Sequence, residues 1–224
     1  MEPRGTILPV YFVADESASM GPHIGELNRG LLDLQDALQR DPHAASKVRF
    51  SVIGFSDEAF TYLEPADLRM APQLPELTAQ ASTSYCAAFE ELIYRISVDI
   101  PRLKGHGFDV HRPVVFFLTD GAPTDRQDWR GVRARLVDRR QPPAAPNILA
   151  FGIGDADPAV VGEIATQPDF ALVADRRMDT GAAVTEFLTS LTQSVISSGN
   201  AVASGADTLQ FDKPEGFTLA VDLV

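Results

Sequence analysis

Asp15, Ser17 and Ser19 stand at alternate positions in Asp-Glu-Ser-Ala-Ser, within the stretch Ile7 to Met20 that reads ILPVYFVADESASM. A carboxylate and two hydroxyls released together at the end of an apolar run make an oxygen-rich nest suited to a hard divalent cation. Taken alone, the same residues could be a helix N-cap and turn, where aspartate and serine are favoured. Two further places offer oxygens of the same kind: Thr83, within Ser82-Thr83-Ser84, and Asp120, within Thr119-Asp120-Gly121. Asp120-Gly121 by itself would be an ordinary turn. Whether these distant residues meet depends on the elements that carry them.

The apolar run before Asp15 reads as a buried strand. After the Gly21-Pro22 break, Ile24, Leu27, Leu31, Leu34 and Leu38 recur at spacings of three and four, one face of a helix running to about Arg40 and stopped by Asp41-Pro42. Val48 to Phe55 reads as a second strand, and Ala59 to Leu63 as a short third turned back on it through Ser56-Asp57-Glu58. Pro65, Pro72 and Pro75 make Glu64 to Ala81 a long surface loop. From Thr83 the helical period returns through Phe89, Leu92, Ile93, Ile96 and Ile100, with Pro101 as its stop and Ser82 to Ser84 at its capping position. Val114 to Leu118, VVFFL, has the unbroken apolar character of a central parallel strand covered on both faces. An arginine-rich helix over about Asp128 to Arg140, a strand Ile148 to Ile153, a helix around Ala159 to Ala165, a strand around Phe170 to Val173, and a last helix carrying Val184, Phe187, Leu188, Leu191 and Val195 complete the pattern.

Strands alternating with helices predict an α/β fold, a doubly wound and mostly parallel central sheet flanked by helices, with one short antiparallel edge strand. In such sheets ligands sit beyond the carboxyl ends of the strands, where the strand order reverses. Asp15, Ser17, Ser19, Thr83 and Asp120 all fall at that edge. Carboxylates and hydroxyls without thiol or imidazole select Mg²⁺, the first choice, or Mn²⁺ or Ca²⁺, over zinc or copper. With only two carboxylates, the ion keeps waters and an open position that a carboxylate from another protein can fill.

Asp15-x-Ser17-x-Ser19-Met20, Thr83 and Thr119-Asp120-Gly121 together resemble the metal-ion-dependent adhesion site of von Willebrand factor A domains, over roughly residues 6 to 196. The runs GELNRGLLDLQDALQRDP, VRFSVIGFSDEA and RPVVFFLTDGAPTD are most similar to the bacterial TerY type, linked to tellurium resistance and stress response. The resemblance implies metal contact from both serines and the threonine, with the aspartates acting largely through water. It also implies a non-enzymatic interaction module whose partner presents an acidic residue, a kinase, phosphatase or other stress-system protein among the candidates. Ala18 and Cys86 stand where that pattern commonly has glycine, and neither change removes a ligand oxygen. A von Willebrand A domain over residues 1–198 and a tail over 199–224 are expected. Within the tail, Thr208 to Phe211 and Phe217 to Leu223 could form a β-hairpin around Lys213-Pro214-Glu215-Gly216, or add as an edge strand; a disordered tail is the other reading. The competing functional class is a metal-dependent hydrolase or phosphotransferase using the same strand-end site, although no general base or P-loop is visible. A structural scaffold whose site stays empty is the third.

Composition narrows the partners. A net charge of −12 with no long basic stretch offers no footprint for nucleic acid or an anionic membrane surface. The single cysteine, Cys86, excludes an internal disulfide and reads as a small core residue. The amino terminus lacks the features of a signal peptide, and no run approaches the roughly 18 apolar residues that cross a bilayer, so a cytoplasmic location is expected. Asp125 reads as a cap for the arginine-rich helix; Arg126, Arg130, Arg133, Arg135, Arg139 and Arg140 read as its solvated face, and the four histidines as surface residues. Gly152-Ile153-Gly154 lacks the third glycine of a dinucleotide loop, since Asp157 holds that place.

Overall fold

The computed structural model describes residues 4–71, 74–140, 144–206 and 209–223. Thr6–Asp15 (β1), Val48–Phe55 (β2), Ala59–Ala66 (β3), Asp109–Val110 (β4), Val114–Thr119 (β5), Asn147–Gly152 (β6), Ala171–Ala174 (β7) and Phe217–Leu219 (β8) form one sheet, ordered β3-β2-β1-β5-β6-β7-β8 with β4 also pairing β1. β1 pairs in parallel with β2 and β5, β5 with β6, and β6 with β7. β3 is the expected antiparallel edge, and β8 adds antiparallel to β7 at the other.

Both faces of β1 and β5 are covered, which explains their unbroken apolar runs. Leu8, Val10, Phe12 and Ala14 of β1 and Val114, Phe116 and Leu118 of β5 face one core. The helices Ile24–Arg40 (α1), Pro42–Lys47 (α2) and Thr180–Ala203 (α6) complete it through Leu27, Leu31, Leu34, Leu38, Ala44, Ala45, Phe187 and Leu191. Tyr11, Val13, Val115 and Phe117 face the other core, closed by Tyr85–Gly105 (α3), Trp129–Leu136 (α4) and Pro158–Ile164 (α5). Helices on both faces of a mostly parallel sheet, with order reversing between β1 and β5, make the fold doubly wound. Among the described residues no helix is long and apolar enough to cross a membrane.

Several local expectations are corrected. Pro101 does not stop α3, which runs on to Gly105: Ile100 and Leu103 are buried on the turn around the proline, and Asp99 and Arg102 are ion-paired there, so packing outweighs the missing N–H. Asp41 ends α1 and immediately caps α2, accepting from Ala44 N at 3.0 Å. β3 continues to Ala66. The following segment is not merely a surface loop, because Leu68, Leu74 and Leu77 are buried in the core beside α1; Pro72 and Gln73 lie outside the described residues. α4 is capped by Asp128, which accepts from Gly131 N at 3.0 Å, and ends at Leu136, where Asp138 folds a turn by accepting from Arg140 N at 3.0 Å.

α6 continues to Ala203, past residue 198. Of the two strand-like pieces in the tail, Phe217–Leu219 is a strand while Leu209 to Phe211 is not, and Thr208 lies outside the described residues. No strand ladder forms at 209–211 because those backbone groups bond to α6 instead: Ser198 Oγ donates to Gln210 O at 3.0 Å and accepts from Gln210 N at 3.1 Å, Ser194 Oγ accepts from Asp212 N at 3.2 Å, and Ser190 Oγ donates to Asp212 O. Serines spaced by four on one helix face thus hold an extended segment, and Leu209 and Phe211 pack on the core beneath.

Candidate metal centre

The carboxyl ends of β1 and β5 are adjacent, so the residues following them meet. Asp15 is fully buried and Asp120 only 6% exposed. Asp15 Oδ1 accepts from Ser17 N at 2.9 Å, and its Oδ2 accepts from Thr119 Oγ1 at 2.7 Å. Asp120 Oδ1 accepts from Ser19 Oγ at 2.9 Å and Ser17 Oγ at 3.3 Å, and the two serine hydroxyls lie 3.0 Å apart. Ser17 does stand at the N-cap of a short 3-10 turn, Ala18–His23, but its side chain makes no capping bond there. Its hydroxyl is turned to Ser19 and Asp120 instead, which decides against the simple capping reading of Asp15 to Ser19.

Thr83 is brought to the same edge by a different route. Ser84, not Thr83, caps α3 by accepting from Ala87 N at 3.1 Å, which leaves the threonine hydroxyl uncommitted to the cap. Thr124 clasps Thr83 by its backbone: Thr124 N donates to Thr83 O at 2.8 Å, and Thr124 Oγ1 accepts from Thr83 N at 3.2 Å and donates to Thr83 O at 3.1 Å. Tyr85 Oη lies 3.0 Å from Thr119 Oγ1 and 2.9 Å from Gly121 O, tying the head of α3 to the end of β5. Thr83 is 6% exposed, and among the described residues no hydrogen bond joins its hydroxyl to Asp15, Ser17, Ser19 or Asp120. Four of the expected ligands therefore form one bonded cluster, and the fifth stands at the same rim.

The electrostatics are those of a site short of positive charge. Burial pushes the Asp15 carboxyl from its ordinary 3.8 up to about 6, against the lowering hydrogen bonds from Thr119 and Ser17 and with a further push from the Asp120 charge. Burial also raises Asp120, although the Ser19 and Ser17 hydroxyls and the nearby His23 pull it down. No lysine or arginine among the described residues forms an ion pair with either carboxylate. Two buried anions whose hydrogen-bond donors among the described residues are hydroxyls and a backbone amide are a donor set that a hard cation fits. Clusters of three or more His, Cys, Asp or Glu that could hold a metal do not occur among the described residues, so any such ion would rest on hydroxyl oxygens as well.

Three contributions escaped the reading of the sequence. Thr119 holds Asp15 directly, and Tyr85 holds Thr119; the unbroken apolar run of β5 and the place of Tyr85 as the first residue of α3 gave no sign of a polar task. Glu16, between two expected ligands, is fully buried and raised by burial, with Thr78 N and Tyr62 Oη as its donors. Asp125 does not cap α4. Its Oδ1 accepts from Ser84 Oγ at 2.6 Å and its Oδ2 from Cys86 N at 3.0 Å, so it caps α3 across the loop. Cys86 itself is buried as expected, its thiol raised first of all by that burial. Arg133 is not part of a solvated face: its guanidinium donates to the carbonyls of Ile164, at 3.2 Å, and Ala165, closing the end of α5. Arg130 pairs with Glu163 and stacks on Trp129 at 4.6 Å.

No protein-family model and no curated protein matches the chain. Solved structures do. Proximal thread matrix protein 1 from the mussel byssus, with a zinc-occupied MIDAS motif, is 14% identical over 87% of this chain and 49% of its own, with a TM-score of 0.60. A von Willebrand factor type A structure from Catenulispora acidiphila is 15% identical over 86% of this chain and 43% of its own, TM-score 0.55. The manganese-loaded TRAP protein of Plasmodium vivax is 19% identical over 81% of this chain and 73% of its own, TM-score 0.52. The chain thus spans less than half the length of the first two. At such identities the likeness is one of fold: the chain has the Rossmann-like fold of von Willebrand factor A domains.

Proposed function

We propose, from the premise of a von Willebrand factor A fold, that this protein is a non-enzymatic interaction module whose divalent cation receives an acidic residue of a partner protein. The observation that carries this reading is the cluster at the ends of β1 and β5: buried Asp15 and Asp120 bridged by Ser17, whose amide and hydroxyl bond one carboxylate each, and by the Ser19 hydroxyl on Asp120, with no lysine or arginine among the described residues paired to either carboxylate. Asp15, Ser17, Ser19, Thr83 and Asp120 would hold the ion, and Mg²⁺ suits an all-oxygen set that leaves coordination positions to water. Such an ion supplies an electrophilic open position. The chain's own residues do the rest: Thr119 and Ser17 N orient Asp15, and Thr124 and Tyr85 bring the head of α3, with Thr83, to the rim. The zinc-occupied MIDAS motif of the mussel protein supports a divalent ion here, as does the manganese-loaded state of the Plasmodium protein, which shares the fold. The resemblance to the TerY type supports a cytoplasmic tellurium-resistance or stress-response setting, with kinases, phosphatases or other proteins of that system as partners.

Calorimetric titration of the chelator-stripped protein with Mg²⁺ tests the ion, with saturable binding expected for the natural sequence and its loss in Asp15→Ala. A pull-down run with Mg²⁺ and again with EDTA tests the partner. No Mg²⁺ binding, or equal binding after Asp15→Ala, refutes the proposal; partners retained equally in EDTA refute the cation's part in their capture.

A further inference from the structure

Glu16 sits between two residues of the metal centre yet turns away from them. Its carboxylate enters a space that exists only because residue 54 is glycine: a Cβ there would lie 2.1 Å from Glu16 Oε2 and 2.7 Å from the Tyr62 ring. Inside, Glu16 Oε1 accepts from Thr78 N at 2.8 Å and from Tyr62 Oη at 3.0 Å. The backbone on either side is engaged too. Glu16 N donates to Phe55 O at 2.8 Å, Glu16 O accepts from Gln80 N at 2.6 Å, and Ala18 N donates to Ala81 O at 3.4 Å.

These bonds run along one stretch of chain. Residues 74–82 lie across the end of β1 in an irregular conformation, with few regular backbone pairings of their own. Asn28 of α1 holds the middle, donating to Leu77 O at 2.9 Å and accepting from Leu77 N at 2.8 Å, and Ser56 Oγ donates to Gln80 Oε1 at 2.9 Å. Thr83 follows directly. A buried carboxylate accepting an amide of this segment is the side-chain link between the strand that ends in Asp15 and the segment that ends in Thr83.

We infer that Glu16 is a positioning residue of the metal centre, locking residues 74–82 onto the end of β1 and so fixing where Thr83 stands relative to Asp15, Ser17 and Ser19. The inference rests on the cation site proposed above. Groups behind a metal's own ligands orient them, and their loss costs roughly tenfold or more in affinity.

The test uses the full chain with Glu16→Ala, Glu16→Gln, Thr83→Ala and the double variant Glu16→Ala/Thr83→Ala, each checked for folding by circular dichroism. Amide exchange is measured in EDTA and Mg²⁺ affinity by calorimetry. Glu16→Ala is expected to speed exchange at Thr78 and Gln80 and to weaken Mg²⁺ binding roughly tenfold. Glu16→Gln stays within about threefold, because its amide oxygen can still accept from Thr78 N while its NH₂ donates to Tyr62 Oη. On the Thr83→Ala background, Glu16→Ala adds no further loss, since its effect passes through Thr83. If Glu16→Ala does not fold, Tyr62→Phe carries the same test with a smaller loss of the same sign. Unchanged Mg²⁺ affinity in Glu16→Ala, equal losses in the alanine and glutamine variants, or losses that multiply in the double variant overturn the inference alone. Absence of Mg²⁺ binding by the natural protein overturns the cation site, and this inference with it.

Discussion

Replacing Asp15 by asparagine should make the metal-free protein more stable while abolishing its stabilisation by metal. The carboxylate is fully buried and its pKa stands at about 6 against an ordinary 3.8. At 1.36 kcal/mol per pH unit, that gap means the buried charge costs about 3 kcal/mol of folding free energy near pH 7, net of the hydrogen bonds from Thr119 and Ser17. Asparagine removes the charge and keeps the shape. Its oxygen can accept from Ser17 N, and its NH₂ can donate to Thr119 Oγ1 once that hydroxyl turns. Allowing for the weaker neutral bonds, a gain of about 1 to 3 kcal/mol remains. For a chain of this size each kcal/mol raises Tm by roughly 2 to 4 °C, so a rise of several degrees is expected in EDTA at pH 7. Because the folded pKa is raised, the natural protein recovers stability as pH falls through 6 and the carboxyl takes up its proton; asparagine does not titrate. The variant's advantage should shrink below pH 6 and vanish near pH 4. Mg²⁺ should reverse the order, since a ligand at 100 times its Kd adds about 2.7 kcal/mol to a protein that binds it. Thermal and urea unfolding with EDTA and with Mg²⁺, at pH 7 and pH 5, provide the measurement. An Asp15→Asn variant no more stable than the natural protein in EDTA at pH 7, or one stabilised by Mg²⁺ to the same extent, refutes the reasoning.

The same elevated carboxyl makes Mg²⁺ affinity depend on pH: protons compete for Asp15, so calorimetry should find binding little changed above pH 7 and weakening up to tenfold per unit well below pH 6. Gly54→Ala should destabilise the protein by about 1 to 3 kcal/mol in urea, because the added methyl overlaps Glu16 Oε2, and Glu16→Ala on that background should recover part of the loss. Asp125→Ala should cost about 1 kcal/mol by removing the acceptor of Cys86 N at the head of α3, where Ser84 still accepts from Ala87 N, and because α4 is capped by Asp128 its own amides should keep their exchange rates. Replacing Ser190, Ser194 and Ser198 together by alanine should free the 209–212 segment, seen as faster proteolysis there and a loss of about 1 to 3 kcal/mol in stability.

The fold was legible wherever apolar spacing is strong. Leu27, Leu31, Leu34 and Leu38 specify the buried face of α1, and the unbroken run VVFFL marks a strand covered on both sides. Ends were less legible. Pro101 signals a stop in any isolated helix, yet α3 continues because the buried Leu103 lies beyond it. The segment before Thr83 reads as loop because its prolines exclude regular structure, and the same prolines do not prevent Leu74 and Leu77 from entering the core. That Asp15, Ser17, Ser19 and Asp120 would come together was legible because strand ends in a doubly wound sheet converge by topology.

Types and spacings along the chain determined which oxygens stand at the carboxyl edge of the sheet, since hydrophobic period is local and each strand carries its own burial pattern. Only the tertiary structure decided what each oxygen does there. Ser17 could have capped a turn and instead meets Asp120; Ser84 caps α3 and leaves Thr83 uncommitted; Asp125 reaches across to α3 instead of capping α4. Glu16 turns inward because a glycine on the neighbouring strand leaves it room. A polar side chain takes the partner that packing places within about 3 Å, and that partner comes from whichever loops the fold sets side by side.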